Sequence, residues 1–337
     1  MSGRAVKLHF SSDHDPGYHR KPCGRGFVYL GLRGKRLTGQ RTLRRIQALA
    51  IPPAWVDVWI CSEPSGHLQA TGCDAAGRKQ YRYHPQWEHC RRQTVFAGLG
   101  AFAAILPRIR RRVTRDLAGG QALNKKRVLA LTVRLLDQTL MRIGHEEYTE
   151  RYRSHGLTTL RDRHVRQDEE GLRIRFKGKG GKTQHCRVDD DALCRLILGC
   201  EELPGQELFQ YRDSDGNPVP VRSEDVNAYL QEASGQPVTA KVFRTWGATA
   251  AFVRSIAESL EARTAAERKR QQRAAVKAAA TRLQNTPAVT RQSYIHPRVL
   301  EEQASVSLHK RLRRRRRSDR RGMDVHESIV ARIVEGG

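Results

Sequence analysis

The chain has 337 residues, 62 Lys plus Arg against 35 Asp plus Glu, and a formal net charge of +27. That is enough length for about two domains, and a hydrophobic content of 38% excludes wholesale disorder. A basic excess of this size points to a polyanionic partner, nucleic acid first, because an acidic small substrate alone would not require it.

Residues 27–95 are rich in aromatic and β-branched side chains punctuated by Gly and Pro, so this part reads as a small β-rich domain. From about residue 96 the period becomes helical: Val128, Leu131, Leu135, Leu136, Leu140 and Ile143 share one face, and Gly144 is placed to end that helix. One β interruption follows. Leu172, Ile174 and Phe176 alternate with Arg173 and Arg175 before Gly178-Lys179-Gly180-Gly181, which predicts a hairpin with a lysine at its tip. Residues 256–283, Ala-rich and free of Gly and Pro, predict one long and largely solvated helix. Thr286 and Pro287 are suited to cap and open a short helix that carries Tyr294 and stops at Pro297. Residues 310–321 hold nine basic residues and one acid, too charged to pack, so the tail beyond about 305 is expected to be mobile. The predicted fold class is α+β: a β-rich domain over 1–95, a mainly α-helical domain with a short β-hairpin over 96–305, and a basic tail over 306–337.

No run of eighteen apolar residues exists, and the first seventeen residues lack the apolar core of a secretory signal, so the expected location is cytoplasmic, with no membrane partner. The seven cysteines contain no C-x-x-C pair and are read as reduced thiols. Asp213, Asp215, Asn217 and Glu224 are spaced like a calcium loop, but Pro218 stands where that loop needs glycine, so a surface turn is expected. There is no G-x-x-x-x-G-K-[ST], no H-E-x-x-H and no dinucleotide fingerprint, and the expectation is that neither metal nor cofactor is used.

What the sequence offers instead is a set of cations near glycines: Arg142 before Gly144, Lys179 in the hairpin turn, and Lys241 with Arg244 in KVFRTWG. Together they suit a phosphate site. Singly, each has an ordinary reading: a cation at a helix C-terminus for Arg142, a solvated tip for Lys179, a surface arginine for Arg244 and a packed tyrosine for Tyr294.

In sequence order, MRIGHEEY, GLTTLRDRHV, FKGKGGKTQH, KVFRTWGAT and NTPAVTRQSYIHP resemble the catalytic blocks of the type IB DNA topoisomerases, most closely the bacterial, poxvirus-like branch. The likeness begins near FVYLG, takes in ATGCDAAGRKQYRYHPQW and runs to about residue 300. It implies a monomeric enzyme acting on duplex DNA, supercoiled DNA preferentially, near the nucleoid. That enzyme would nick one strand through a 3′-phosphotyrosyl bond, allow rotation and reseal without ATP or metal. By block, the catalytic set falls on Arg142, Lys179, Arg244, Asn285 and the nucleophile Tyr294. The β-rich domain would close a clamp on the duplex through Lys79, Tyr81 and Tyr83, with Lys241 as a further DNA contact. Two positions depart from the pattern: Asn285 stands where the poxvirus enzymes have histidine, and Cys73 stands where related sequences carry arginine. A tyrosine recombinase shares these catalytic roles, but it typically presents H-x-x-R where this chain has Lys241-Val-Phe-Arg244, and its N-terminal part is helical. A non-catalytic basic DNA-binding protein is the third reading.

Overall fold

The computed structural model describes residues 7–119, 123–259, 262–314 and 320–336, and divides the chain into two units, Met1–Thr94 and Val95–Gly337. In the first unit, β1 (Gly17–Cys23), β2 (Gly26–Leu30), β3 (Val56–Cys61), β4 (Leu68–Cys73) and β5 (Lys79–Tyr83) form one antiparallel sheet in the order β2-β1-β3-β4-β5, with α1 (Gln40–Ala48) between β2 and β3 in the chain. Strand alternation sends Val58 and Ile60 to one face, where they meet Ile46 of α1, and Trp59 and Cys61 to the other, where they meet Leu68 and Tyr83. Proline cannot donate from its nitrogen, and the Pro52-Pro53 loop uses its carbonyls instead. Buried Arg20 donates to the carbonyls of Ile51 (3.2 Å), Pro52 (3.0 Å) and Trp55 (2.6 Å).

α2 (Pro85–Ala118) starts ahead of the Val95 boundary and runs into the helical unit, where α3 (Lys125–Thr139) and α4 (Glu146–Tyr152) follow. A three-stranded antiparallel sheet follows, β6 (Val165–Asp168), β7 (Gly171–Lys177) and β8 (Thr183–Val188), with β7 central. Leu172, Ile174 and Phe176 of β7 point into the core while Arg173 and Arg175 stay exposed, as the alternation requires. Then come α5 (Asp191–Glu201), a two-stranded ribbon of β9 (Gln210–Arg212) and β10 (Pro218–Pro220), α6 (Ser223–Ser234), α7 (Lys241–Ala257), α8 (Ala265–Leu283), α9 (Pro287–Ser293), α10 (Pro297–Ala304), α11 (Ser307–Arg314) and α12 (Val325–Glu335). Apolar faces of α2, α3, α7 and α12 share one core, in which the Phe102 ring meets Phe243 and Trp246 edge-on at 5.0 and 5.8 Å. Among the described residues no helix is long and apolar enough to cross a membrane.

Several expectations fail on local chemistry. The helix expected through Ile143 stops at Thr139, because Leu140 adopts a left-handed conformation that ends it. Arg142 is therefore not a cation on a helix C-terminus. The single helix expected over 256–283 is broken: α7 ends at Ala257, and α8 starts with Thr264 as N-cap, its hydroxyl and the Glu267 carboxylate exchanging hydrogen bonds with each other's backbone. The T-x-x-E signature of that capping box was present in the sequence. Tyr294 lies just past the C-terminus of α9, and Pro297 opens α10 instead of closing its predecessor.

The expected mobile tail is the largest departure. Residues 315–319 of the basic run lie outside the described residues, but on either side of them the chain is packed: Leu308 of α11 and Ile329, Val330 and Ile333 of α12 are buried in the core. Charge did not prevent packing because acids pair with it, Glu302 of α10 with Arg311 at 2.6 Å and Glu335 of α12 with Arg320, and α12 is tied to the rest of the core by a further acid. Arg110 of α2 bonds both Asp137 of α3 (2.7 Å) and Glu327 of α12 (2.8 Å), and Glu327 also accepts from the Trp246 indole (2.9 Å). Glu327→Ala leaves Arg110 with Asp137 but removes its second carboxylate and the acceptor of the buried Trp246 N–H, so it should cost about 1–3 kcal/mol. Urea denaturation measures this, and a loss under 1 kcal/mol would mean that α12 is not held by this network.

Candidate active site

Four elements end at one place, and each end has a sequence cause. At the end of α3, Leu140 takes φ 56, which turns its carbonyl toward the guanidinium of Arg244. The chain then runs extended to Gly144, where φ is +93 and a Cβ would sit 3.1 Å from the Cα of Gly156, so only glycine suits. This close approach lets the Arg142 carbonyl accept from Leu157 N at 2.8 Å, which pins the arginine's backbone.

Arg244 projects from the first turn of α7 and is only 5% exposed. It donates to the carbonyls of Leu140 and of Leu283, the latter at 3.2 Å, and its buried Nε–H has no partner among the described residues. A guanidinium has five N–H donors, so two bonds to backbone fix its plane and leave donors for a ligand oxygen. Leu140 and Leu283 serve twice, since their side chains form, with Ala248, the apolar cluster on which the Tyr294 ring packs.

Beyond α8, Gln284 takes φ 51 and Asn285 N donates to the Ala280 carbonyl at 2.9 Å. The Asn285 side-chain carbonyl accepts from Arg142 at 2.7 Å, while its buried amide nitrogen has no partner among the described residues. Thr286 caps α9 and Pro287 occupies its first turn, as the sequence predicts, and Tyr294 follows with its ring centroid 5.4 Å from the Arg244 Cζ. Buried Thr249 fixes this exit. Its hydroxyl proton is shared between the Thr245 carbonyl (2.8 Å) and the Tyr294 carbonyl (3.1 Å), and its oxygen accepts from His296 N (3.2 Å). Sequence reasoning missed Thr249, because a threonine inside a helix carries no signal of a contact forty-five positions away.

The electrostatics follow from burying two arginines near a phenol. Burial alone would raise the Tyr294 pKa, but the positive charges of Arg244, Arg142 and Lys241 outweigh it and hold the phenol below its ordinary value. Arg244 is lowered as well, to about 10, by burial and by Arg142, with Tyr294 partly offsetting both, so it stays protonated near neutral pH. A depressed phenol pKa shifts ionisation to lower pH, so the rise in rate of any step that uses the phenolate should come at lower pH than for an ordinary tyrosine. Lys241→Ala should move that rise to higher pH; an unmoved pH–rate profile would show that Lys241 does not act on Tyr294.

The remaining expected residues lie elsewhere. Lys179 sits exposed in the β7–β8 turn with no ion pair among the described residues, and the structure does not bring it into contact with the other four. Lys241 is exposed at the start of α7. In the first unit, Tyr81 and Tyr83 project from the same face of edge strand β5 and stack at 6.0 Å and 11°, with Tyr81 47% exposed. Lys79 is engaged by Asp13 at 2.6 Å, an acid far upstream that strand reasoning could not pair with it. No group of three metal-ligating side chains occurs among the described residues.

Residues 88–318 match the family model of the eukaryotic DNA topoisomerase I catalytic core, and residues 26–74 match that of the bacterial DNA topoisomerase IB N-terminal domain. A DNA topoisomerase 1B from Acanthamoeba polyphaga mimivirus is 33% identical over 292 residues, covering 85% of this chain and 87% of the viral one.

Proposed function

The chain belongs to the type IB DNA topoisomerases, and on that premise we propose that it relaxes supercoiled duplex DNA by transient cleavage of one strand, rotation and resealing. The observation that carries the assignment of residues is the convergence of Arg244, Arg142 and Asn285 on Tyr294. In this reading the Tyr294 Oη attacks phosphorus, the bond from phosphorus to O5′ breaks, and a 3′-phosphotyrosyl ester retains the bond energy for resealing. The phenol proton passes to water. Lys179 gives a proton from its ammonium to the departing O5′, which as an alkoxide is a far poorer leaving group than a phenolate. Arg142, Arg244 and the Asn285 amide donate to the non-bridging oxygens as charge gathers on them, which calls for no metal ion. Resealing runs the same steps in reverse.

DNA is held largely through phosphates, to which the net charge of +27 contributes, and Tyr81 and Tyr83 add contacts from the first unit. Lys79 and Lys241 extend this contact set, Lys79 through the N–H donors that Asp13 leaves unused. Action as a monomer belongs to the same reading, and Arg142, Arg244, Asn285 and Tyr294 come together without a residue from a second subunit. The preference for supercoiled DNA and the nucleoid location follow from the family reading, and the basic charge adds affinity for DNA of any topology. Incubating the purified protein with supercoiled plasmid in EDTA tests the function. Relaxation of any plasmid supports it, recombinant products confined to paired sites would favour a tyrosine recombinase, and binding without relaxation would favour a non-catalytic role.

A further inference from the structure

Lys179 and Asn285 lie on different elements, and one side chain joins those elements. β8 is an edge strand of its sheet, and at His185, opposite Arg175 of β7, both backbone polar groups are turned away from the sheet. Both are taken by Gln284: His185 N–H donates to the Gln284 Oε1 at 2.9 Å, and the Gln284 Nε2 donates to the His185 carbonyl at 2.6 Å. The side-chain amide thus pairs with the strand as another strand's backbone would. Gln284 does this from a left-handed backbone, φ 51, a region that favours glycine, so the position carries a conformational cost that its side chain must offset. The next residue is Asn285, bonded to Arg142. The lysine turn itself contains three glycines; its β7 side is tied through the Lys177 carbonyl, which accepts from His155 N at 2.7 Å next to the segment that pins Arg142, and its β8 side is tied through Gln284.

We propose that Gln284 is a positioning residue that locks the Lys179 hairpin to the Asn285–Tyr294 segment, and so sets the register of the proton donor against the scissile phosphate. This rests on the reading of Lys179 as the general acid.

The test is single-turnover cleavage by Gln284→Gly and by Lys179→Ala, each on an ordinary duplex and on one whose scissile O5′ is replaced by sulfur. Glycine removes the amide while relaxing the left-handed backbone, so the variant should fold at least as well as the parent. A thiol leaves without a proton from the enzyme, because its pKa lies far below that of the alcohol it replaces. On the ordinary duplex, Gln284→Gly should be slower by about 10- to 100-fold with unchanged binding, because a donor misplaced by an ångström loses that much. On the sulfur duplex it should cleave within about 2-fold of the parent, because the misplaced donor is no longer needed. If Gln284→Gly cleaves the ordinary duplex at the parent's rate, or is equally slow on both duplexes, Gln284 does not act through Lys179 and the proposal is overturned. If Lys179→Ala is slow on both duplexes, the general-acid reading itself fails and takes the proposal with it.

Discussion

Tyr294→Phe is expected to abolish both relaxation and the covalent adduct while leaving duplex binding within a few-fold of the parent. Only the nucleophilic oxygen is lost. The ring still packs on Leu140, Ala248 and Leu283, and the backbone remains tied to Thr249, so the variant should fold as the parent does. Nothing else in the cluster can take over, since Arg142 and Arg244 are cations and Asn285 is an amide whose carbonyl already accepts from Arg142. Denaturant-trapped adduct and plasmid relaxation read the outcome. A residual adduct in the phenylalanine variant would place the nucleophile on another residue.

Asn285→Ala should slow cleavage by about 10² to 10³, equivalent to about 2.7–4 kcal/mol of transition-state stabilisation, and leave binding nearly unchanged. The unpartnered buried amide nitrogen is the reason: it has a desolvation cost in the free enzyme that a phosphate oxygen can offset, most strongly when that oxygen carries the added charge of the transition state. Asn285→His should restore much of the rate through an imidazole N–H, and it should introduce a titration near about pH 6.5 that the parent lacks. Single-turnover cleavage of the three proteins from pH 5.5 to 8.5 separates these outcomes. An alanine variant as fast as the parent would reduce Asn285 to a structural link between α8 and α9.

The fold was legible where periodicity is a direct consequence of burial. Leu172, Ile174 and Phe176 alternate because β7 packs one face, and the aromatic, Gly-punctuated stretch 27–95 supplies β2 to β5 of the five-stranded sheet, although β1 lies before it and α2 begins within it at Pro85. It was illegible where a single backbone conformation decides. Nothing in Leu140 or Gln284 announces a left-handed residue, yet these two place Arg244 and Asn285. The tail misled because its charge density hid the apolar spacing of Ile329, Val330 and Ile333 just beyond it. In the active site, the ordered motif blocks identified the residue types. Four of the five side chains, Arg142, Arg244, Asn285 and Tyr294, come together in the structure. The contacts that hold them, Thr249 to the Tyr294 segment and Gln284 to His185, join positions far apart in the chain and left no local pattern to read.

The most direct test of the account is to trap the covalent complex on a duplex with detergent in the presence of EDTA, digest it with trypsin and nuclease, and sequence the modified peptide by mass spectrometry. The account predicts a single nucleotide-bearing peptide, residues 292–298, with a 3′-nucleotide on Tyr294. An adduct on any other peptide, or plasmid relaxation with no adduct at all, would contradict it.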